Sequence, residues 1–522
     1  MKKGLFILLF TVSVTLGIKC GLVEAIRTKS SLFAPRPGLT DYFDSEDGHF
    51  RVWFTLEGDS AIDPTDTNPA DGIPDWAQRA AEYLERAWAC LVDTIGAKEP
   101  LPDFGAGGSD RVDLYLVELS GVYGMTYMDS LLPDGSATAY MVIENDFEAS
   151  DFPEYIGREE EALAVTCAHE FFHTIHYSYS ANLSWVWWME ATAVWSEERN
   201  FPSVNDYLNY LHYFQDHPDV GLNDDSPTYR IYGACLFPIY LSENYGDTAI
   251  IDIWERVPVF TEYGAIYRWA DSVGVALDDL YGDFARWNLF VGDYHRDFGY
   301  PDADSMPEPA FIMPSEFPEI LDGGGAAVYI DLADSYTGGA WATVEGGDSV
   351  SAVLYGIVPH GRTDTPDTSV DIFNINDTIP GVWRYDKLIA VVANLSSYYG
   401  WDADLGDFLY GPAPSATVEL LGDVLDEPPY PNPYVRGESG SIRFPYAVKE
   451  DTRMLFAVWT SAGELVYQEE FETVKGFHYS PSGSFSWEPL NEAGEQLAAG
   501  IYIYRLATEN NSHKGKFAII NK

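Results

Sequence analysis

Residues 158–177 form a helix-period run of apolar side chains with two histidines and a glutamate set inside it, and no other stretch constrains the chain as much. Its centre, residues 168–176, reads AHEFFHTIH, preceded by Leu163, Ala164 and Val165. A helix this apolar belongs in a protein interior. Two imidazoles and a carboxylate are costly there without a partner or a metal ion. Side chains four apart share a helix face, so His169 and His173 can grip one ion together. Glu170 stands beside the first of them and can reach a water at that ion without itself being a ligand. Zinc lowers the pKa of such a water to about 7, and a carboxylate can then take its proton as it attacks a peptide carbonyl. The five-residue pattern also arises by chance in proteins without such chemistry, so a third ligand is the necessary complement.

Residues 187–193, WWMEATA, supply one. Glu190 lies 17 positions after His173, room for one helix to end and a second to return antiparallel. Two histidines, a glutamate and a water make a tetrahedral catalytic set; Glu197 is the reserve ligand. With Trp187 three before and Ala193 three after Glu190, the arrangement resembles the gluzincin metallopeptidases, in which a glutamate on a second helix completes the HExxH pair. The metzincin pattern requires glycine at 176 and histidine at 179, where this chain has His176 and Tyr179. The segments HFRVWFT, DGIPDW, AHEFFHTIHY, WMEATAVWSEE and YGACLFPIYLSENYG also resemble a little-characterised family of bacterial metalloproteases found in myxobacteria and related phyla. These resemblances imply a zinc peptidase with His169, His173 and Glu190 on the metal and Glu170 as base. They also imply a Tyr or His that steadies the oxyanion, for which Tyr232 is the candidate beside the reading of an ordinary packed tyrosine. His176 either supports the site or is a buried structural histidine. Residues 137–143, just before the motif helix, read as a strand that either forms an edge for an extended peptide or lies inside the sheet.

Residues 63–75, DPTDTNPADGIPD, gather carboxylates around a turn glycine, a composition suited to calcium through Asp66, Asn68, Asp71 and Asp75. Their spacing departs from the EF-hand loop, and an acidic loop capping the next helix is the alternative.

The formal net charge of −52 repels phosphates and anionic lipid, which argues against nucleic acid and membrane surfaces as partners. Lys2 and Lys3 followed by the apolar run 5–17 read as a signal peptide, with cleavage expected after Ala25. No other long apolar run suggests a transmembrane anchor. Cys20 follows Lys19, a poor fit to a lipidation site. Cys90, Cys167 and Cys235 are too sparse for a disulfide framework and read as buried thiols, with a single disulfide as the alternative. Residues 26–48 are a leader or linker that contains no cysteine, which excludes thiol capping of zinc from that stretch.

The expected architecture is multidomain: an α+β zincin-like peptidase domain over 49–303, a β-sandwich over 304–424, a proline-rich linker over 425–434 and an immunoglobulin-like domain over 435–522. Short β-type runs at 326–330, 349–354, 387–393 and 415–421 support the second. In the last, YPNP at 430–433, AGELV at 462–466, AGIY at 499–502 and the closing GKFAII resemble hook-capping-type modules and type IX secretion sorting domains. That resemblance implies secretion or cell-surface machinery as a partner and a secreted or surface location. The expectation is a secreted zinc peptidase acting on protein or peptide. The competing reading is a surface adhesion or binding protein whose metal site is structural or degenerate.

Overall fold

The computed structural model describes residues 18–28, 31–224, 229–260 and 262–312, and shorter stretches between 320 and 521. Residues 1–17, and half of the proline-rich stretch expected at 425–434, lie outside the described residues. The chain is a mixed α/β protein of several sheets with a β-rich C-terminal region. It divides into two compact units, residues 1–182 with 192–206, and residues 183–191 with 207–522.

The first unit is built on a six-stranded sheet. Its strands are β1 (Ile18–Cys20), β2 (Asp41–Asp44), β3 (Phe50–Phe54), β4 (Val112–Val117), β5 (Val122–Leu131) and β6 (Ala137–Glu144), in the order β1-β5-β6-β4-β3-β2. Strands β3, β4 and β6 run parallel, whereas β5 is antiparallel to β6. Every residue of β6 is buried, as a strand covered on both faces should be. The segment expected as a possible peptide-binding edge is therefore internal, between β4 and β5. Strand β5 is outermost but for the three residues of β1, which pair with it in parallel through Ile18–Val122 and Cys20–Gly124. Helix α1 (Gly21–Thr28) follows β1 directly, and Ala25, the expected cleavage position, is buried within it. Residues 26–48, expected as leader or linker, contribute β2 and Arg36, whose guanidinium meets Asp103, Asp113 and Asp129.

Helix α2 (Asp75–Trp88) packs on β3, and α3 (Glu159–Tyr179) packs on β5, β6 and α2. Residues 162–179 of α3 are all buried, matching the apolar texture of its sequence. Phe171 on α3 meets Phe50 of β3 at 5.1 Å and Trp88 of α2 at 5.8 Å, which fastens the motif helix to the sheet. Helix α4 spans Val186–Asn200.

The second unit holds helices at Leu236–Tyr245, Thr248–Trp254, Glu262–Val273 and Leu277–Leu289, then the strands. Ala285, Leu289 and Phe290 share a core with Tyr329, Tyr355, Ile389 and Val391. The last helix expected in the first domain thus packs with the strands expected in the second. At the C-terminus, Thr452–Thr460 and Leu465–Thr473 form a hairpin turning at Gly463 (φ 87°). Strands Gly500–Ala507 and Ser512–Ile520 join it in one sheet over Phe444, Phe456, Trp487 and Phe517.

Candidate metal centre

The middle of α3 brings the motif histidines onto one side of the helix. His169 Nε2 and His173 Nε2 lie 3.2 Å apart. Two nitrogens bound to one tetrahedral zinc at 2.0–2.1 Å would stand about 3.3 Å apart, so the spacing suits a shared ion. Both rings are fully buried, and each Nδ1 meets a neighbour. His169 Nδ1 is 2.6 Å from Glu197 Oε1, and His173 Nδ1 is 3.1 Å from His176 Nδ1. His176 Nε2 in turn lies 3.0 Å from Thr192 Oγ1. Of the two proton orders this chain allows, one has His173 donating to His176 and His176 donating to the threonine hydroxyl. It leaves the His173 Nε2 lone pair for a metal. Burial, with the neighbouring imidazoles, holds His173 and His176 well below the ordinary histidine pKa. They are therefore neutral, as ligands must be.

Glu197, the reserve ligand, occupies a supporting position behind His169. Burial pushes its carboxyl up to about 8, against the pull of Lys19, whose ammonium lies 2.7 Å from Oε2. Glu190 is two residues before Thr192 on the same unbroken helix. Together, Cys20, His169, His173 and Glu190 offer ligand atoms that all lie within 4.8 Å of one another, and all four residues are buried. Two imidazoles, a carboxylate and a thiol are a donor set that zinc accepts readily.

Glu170 faces the sheet. Its Oε2 accepts from Thr126 Oγ1 of β5 at 2.7 Å, and burial pushes its carboxyl up to about 8, with the Thr126 hydrogen bond acting in the opposite sense. Beside it on β5 is Gly124, where a Cβ would stand 2.7 Å from Glu170 Cγ and 2.8 Å from Oε1. A side chain at 124 and this carboxylate cannot share the space. Sequence reasoning missed Thr126, Gly124 and Cys20; the only signal was the glycine interrupting a β-type run at 122–131.

Tyr232, the oxyanion candidate, lies in the second unit, buried and packed with Tyr210 at 5.3 Å and Tyr229 at 6.1 Å. The acidic loop turns its carboxylates onto its own donors. Asp66 accepts from the N–H groups of Asp71 and Gly72, and Asp75 from those of Thr67 and Asn68. Asp71 accepts from Ile73 and from Gln78 Nε2. Among the described residues these groups do not converge on a common point as the buried cluster does, and the loop is laid out as the entry to α2.

No family model matches this chain, and no curated relative does. Among solved structures, stretches are similar to PorZ, a surface component of the type IX secretion system of Porphyromonas gingivalis. That likeness has 21% identity over 18% of this chain and 11% of that one, with a TM-score of 0.14. Latent PorU of the same organism is similar over 34% of this chain and 16% of its own, at 13% identity and a TM-score of 0.16. A β-glucuronidase of Parabacteroides merdae matches 37% of this chain and 27% of its own, at 7% identity and a TM-score of 0.13. The chain thus spans a small part of the length of each. Among the described residues, no helix is long and apolar enough to cross a membrane.

Proposed function

We propose that this chain is a zinc-dependent peptidase of the gluzincin kind, with His169, His173 and Glu190 as metal ligands and Glu170 as general base. The observation that carries it is the convergence of the two Nε2 atoms of an HExxH helix with Glu190 of the following helix, while Glu170 is turned aside to Thr126. Bound zinc would supply a Lewis acid at the scissile carbonyl. Glu170 takes the proton of the attacking water and returns it to the leaving amine. Thr126 holds that carboxylate by one oxygen, and Gly124 keeps the space it needs. The Glu197–His169 and His176–His173 contacts fix both imidazoles in the ligating orientation. Strand β5 offers the edge along which an extended peptide would pair. The C-terminal sheets would export or anchor the enzyme, giving a secreted or surface protein.

One observation favours the adhesion reading with a structural metal: four protein side chains, Cys20 included, reach the centre, and a closed four-ligand set is typical of structural zinc. The test therefore uses a Cys20→Ser chain, which keeps the other three ligands. In it, Glu170→Gln should abolish hydrolysis of a denatured protein substrate while one zinc stays bound. If the Cys20→Ser chain binds one zinc yet cleaves no member of a varied peptide library, the enzyme reading fails.

A further inference from the structure

Cys20 needs an account of its own. Its Sγ lies 3.5 Å from His173 Nε2. A sulfur at about 2.3 Å and a nitrogen at about 2.05 Å from one tetrahedral zinc would stand about 3.5 Å apart. The thiol therefore stands where a fourth ligand belongs, the position that a catalytic zinc keeps for water and substrate.

The chain around the cysteine is built to hold it there. The three residues of β1 cover the outer edge of β5, the same edge along which a peptide substrate would pair. Lys19 is 3% exposed, and its ammonium meets both Glu197 and Asp206. Burying a lysine is unfavourable unless it is paired with carboxylates, so this pairing anchors the segment on the residue that orients His169. Gly21 then passes so close to Met125 of β5 that a Cβ would stand 2.9 Å from its sulfur. Leu22 and Ala25 of α1 are buried behind it.

We propose that residues 18–28 are an autoinhibitory segment, in which the Cys20 thiolate fills the fourth metal position and β1 fills the peptide-pairing edge. The proposal rests on the zinc-site reading above. On binding, the thiol gives its proton to solvent; on activation the segment leaves, the sulfur takes a proton back and a water enters the vacated position. No electron is transferred. Thr28 and Ser31 are both exposed, and a cut between them would release the segment.

X-ray absorption at the zinc edge of the full wild-type chain tests this without a variant. One sulfur neighbour at about 2.3 Å is expected, and its replacement by a nitrogen or oxygen neighbour in Cys20→Ser. With cobalt in place of zinc, the thiolate-to-cobalt charge-transfer band should be present in wild type and absent from Cys20→Ser, with the visible ligand-field bands kept in both. Peptide hydrolysis should rise at least about tenfold in Cys20→Ser, or in wild type cut within residues 28–31. One bound metal with only nitrogen and oxygen neighbours in the wild type overturns the switch and leaves the three-ligand site standing. A chain that binds no metal overturns the site itself. A sulfur neighbour present together with full wild-type activity overturns the inhibition. A chain found to begin beyond Cys20 before it ever binds metal overturns the segment's role.

Discussion

Replacing Glu197 by alanine removes the carboxylate behind His169 and asks how much the metal site depends on it. The contact is 2.6 Å long and wholly buried, so no water can take over the acceptor role at once. The His169 Nδ1–H would lose its acceptor and the ring its orientation. Supporting contacts of this kind change metal affinity by about 10–100-fold, or about 1.4–2.7 kcal/mol. Glu197 also meets Lys19, so alanine loosens the N-terminal segment as well. Asp206 remains to pair with the ammonium, which keeps that cost below the roughly 3–5 kcal/mol of an orphaned buried charge. Glu197→Gln separates the two effects: it keeps an acceptor for His169 and the side-chain volume, and loses only the charge. Zinc affinity by chelator competition should therefore fall in the order wild type, Gln, Ala, with one zinc per chain at saturation in all three. Urea unfolding of the apo forms reports the Lys19 contribution separately. Wild-type affinity in a folded Glu197→Ala protein would refute the supporting role. Zinc binding lost in Glu197→Gln but kept in Glu190→Gln would show that Glu197 is itself the ligand.

Two other substitutions probe the sheet. Gly124→Ala should displace the Glu170 carboxylate from Thr126 and lower kcat by about 100-fold, the usual cost of misplacing a reacting group by an ångström; unchanged zinc content separates this from loss of the site, and an unchanged kcat in the Cys20→Ser background would refute it. Arg36→Met leaves Asp103, Asp113 and Asp129 without their shared guanidinium, with Asp113 wholly buried and retaining the Trp53 indole N–H at 2.7 Å. Burial already pushes Asp103 up to about 6, and a loss of about 3–5 kcal/mol is expected in urea unfolding; a loss under about 1 kcal/mol, the range of an exposed pair, would refute the reading.

What was legible in the chain was what repeats locally. The helix period of α3, the four-residue histidine spacing and the return helix bearing Glu190 all lie within a few turns of one another, and each leaves its mark on neighbouring residues. Strand β5 left only an interrupted run. Gly124 breaks its run, and a register shift between Met128 and Ser130 breaks its alternation. Both interruptions fall on the strand that borders the site, and the first is explained by Glu170, 46 residues further on. Cys20 is the extreme case. Its partner His173 is 153 positions away, and the apolar run before it makes the whole stretch read as a leader to be discarded. A three-residue strand carries no period of its own, and its pairing with β5, Ile18 with Val122 and Cys20 with Gly124, gives it a place. Residues 26–48 contain no cysteine. Cys20, whose sulfur lies within 4.8 Å of the His169, His173 and Glu190 ligand atoms, stands six positions before residue 26, where an apolar leader hides it from motif reading.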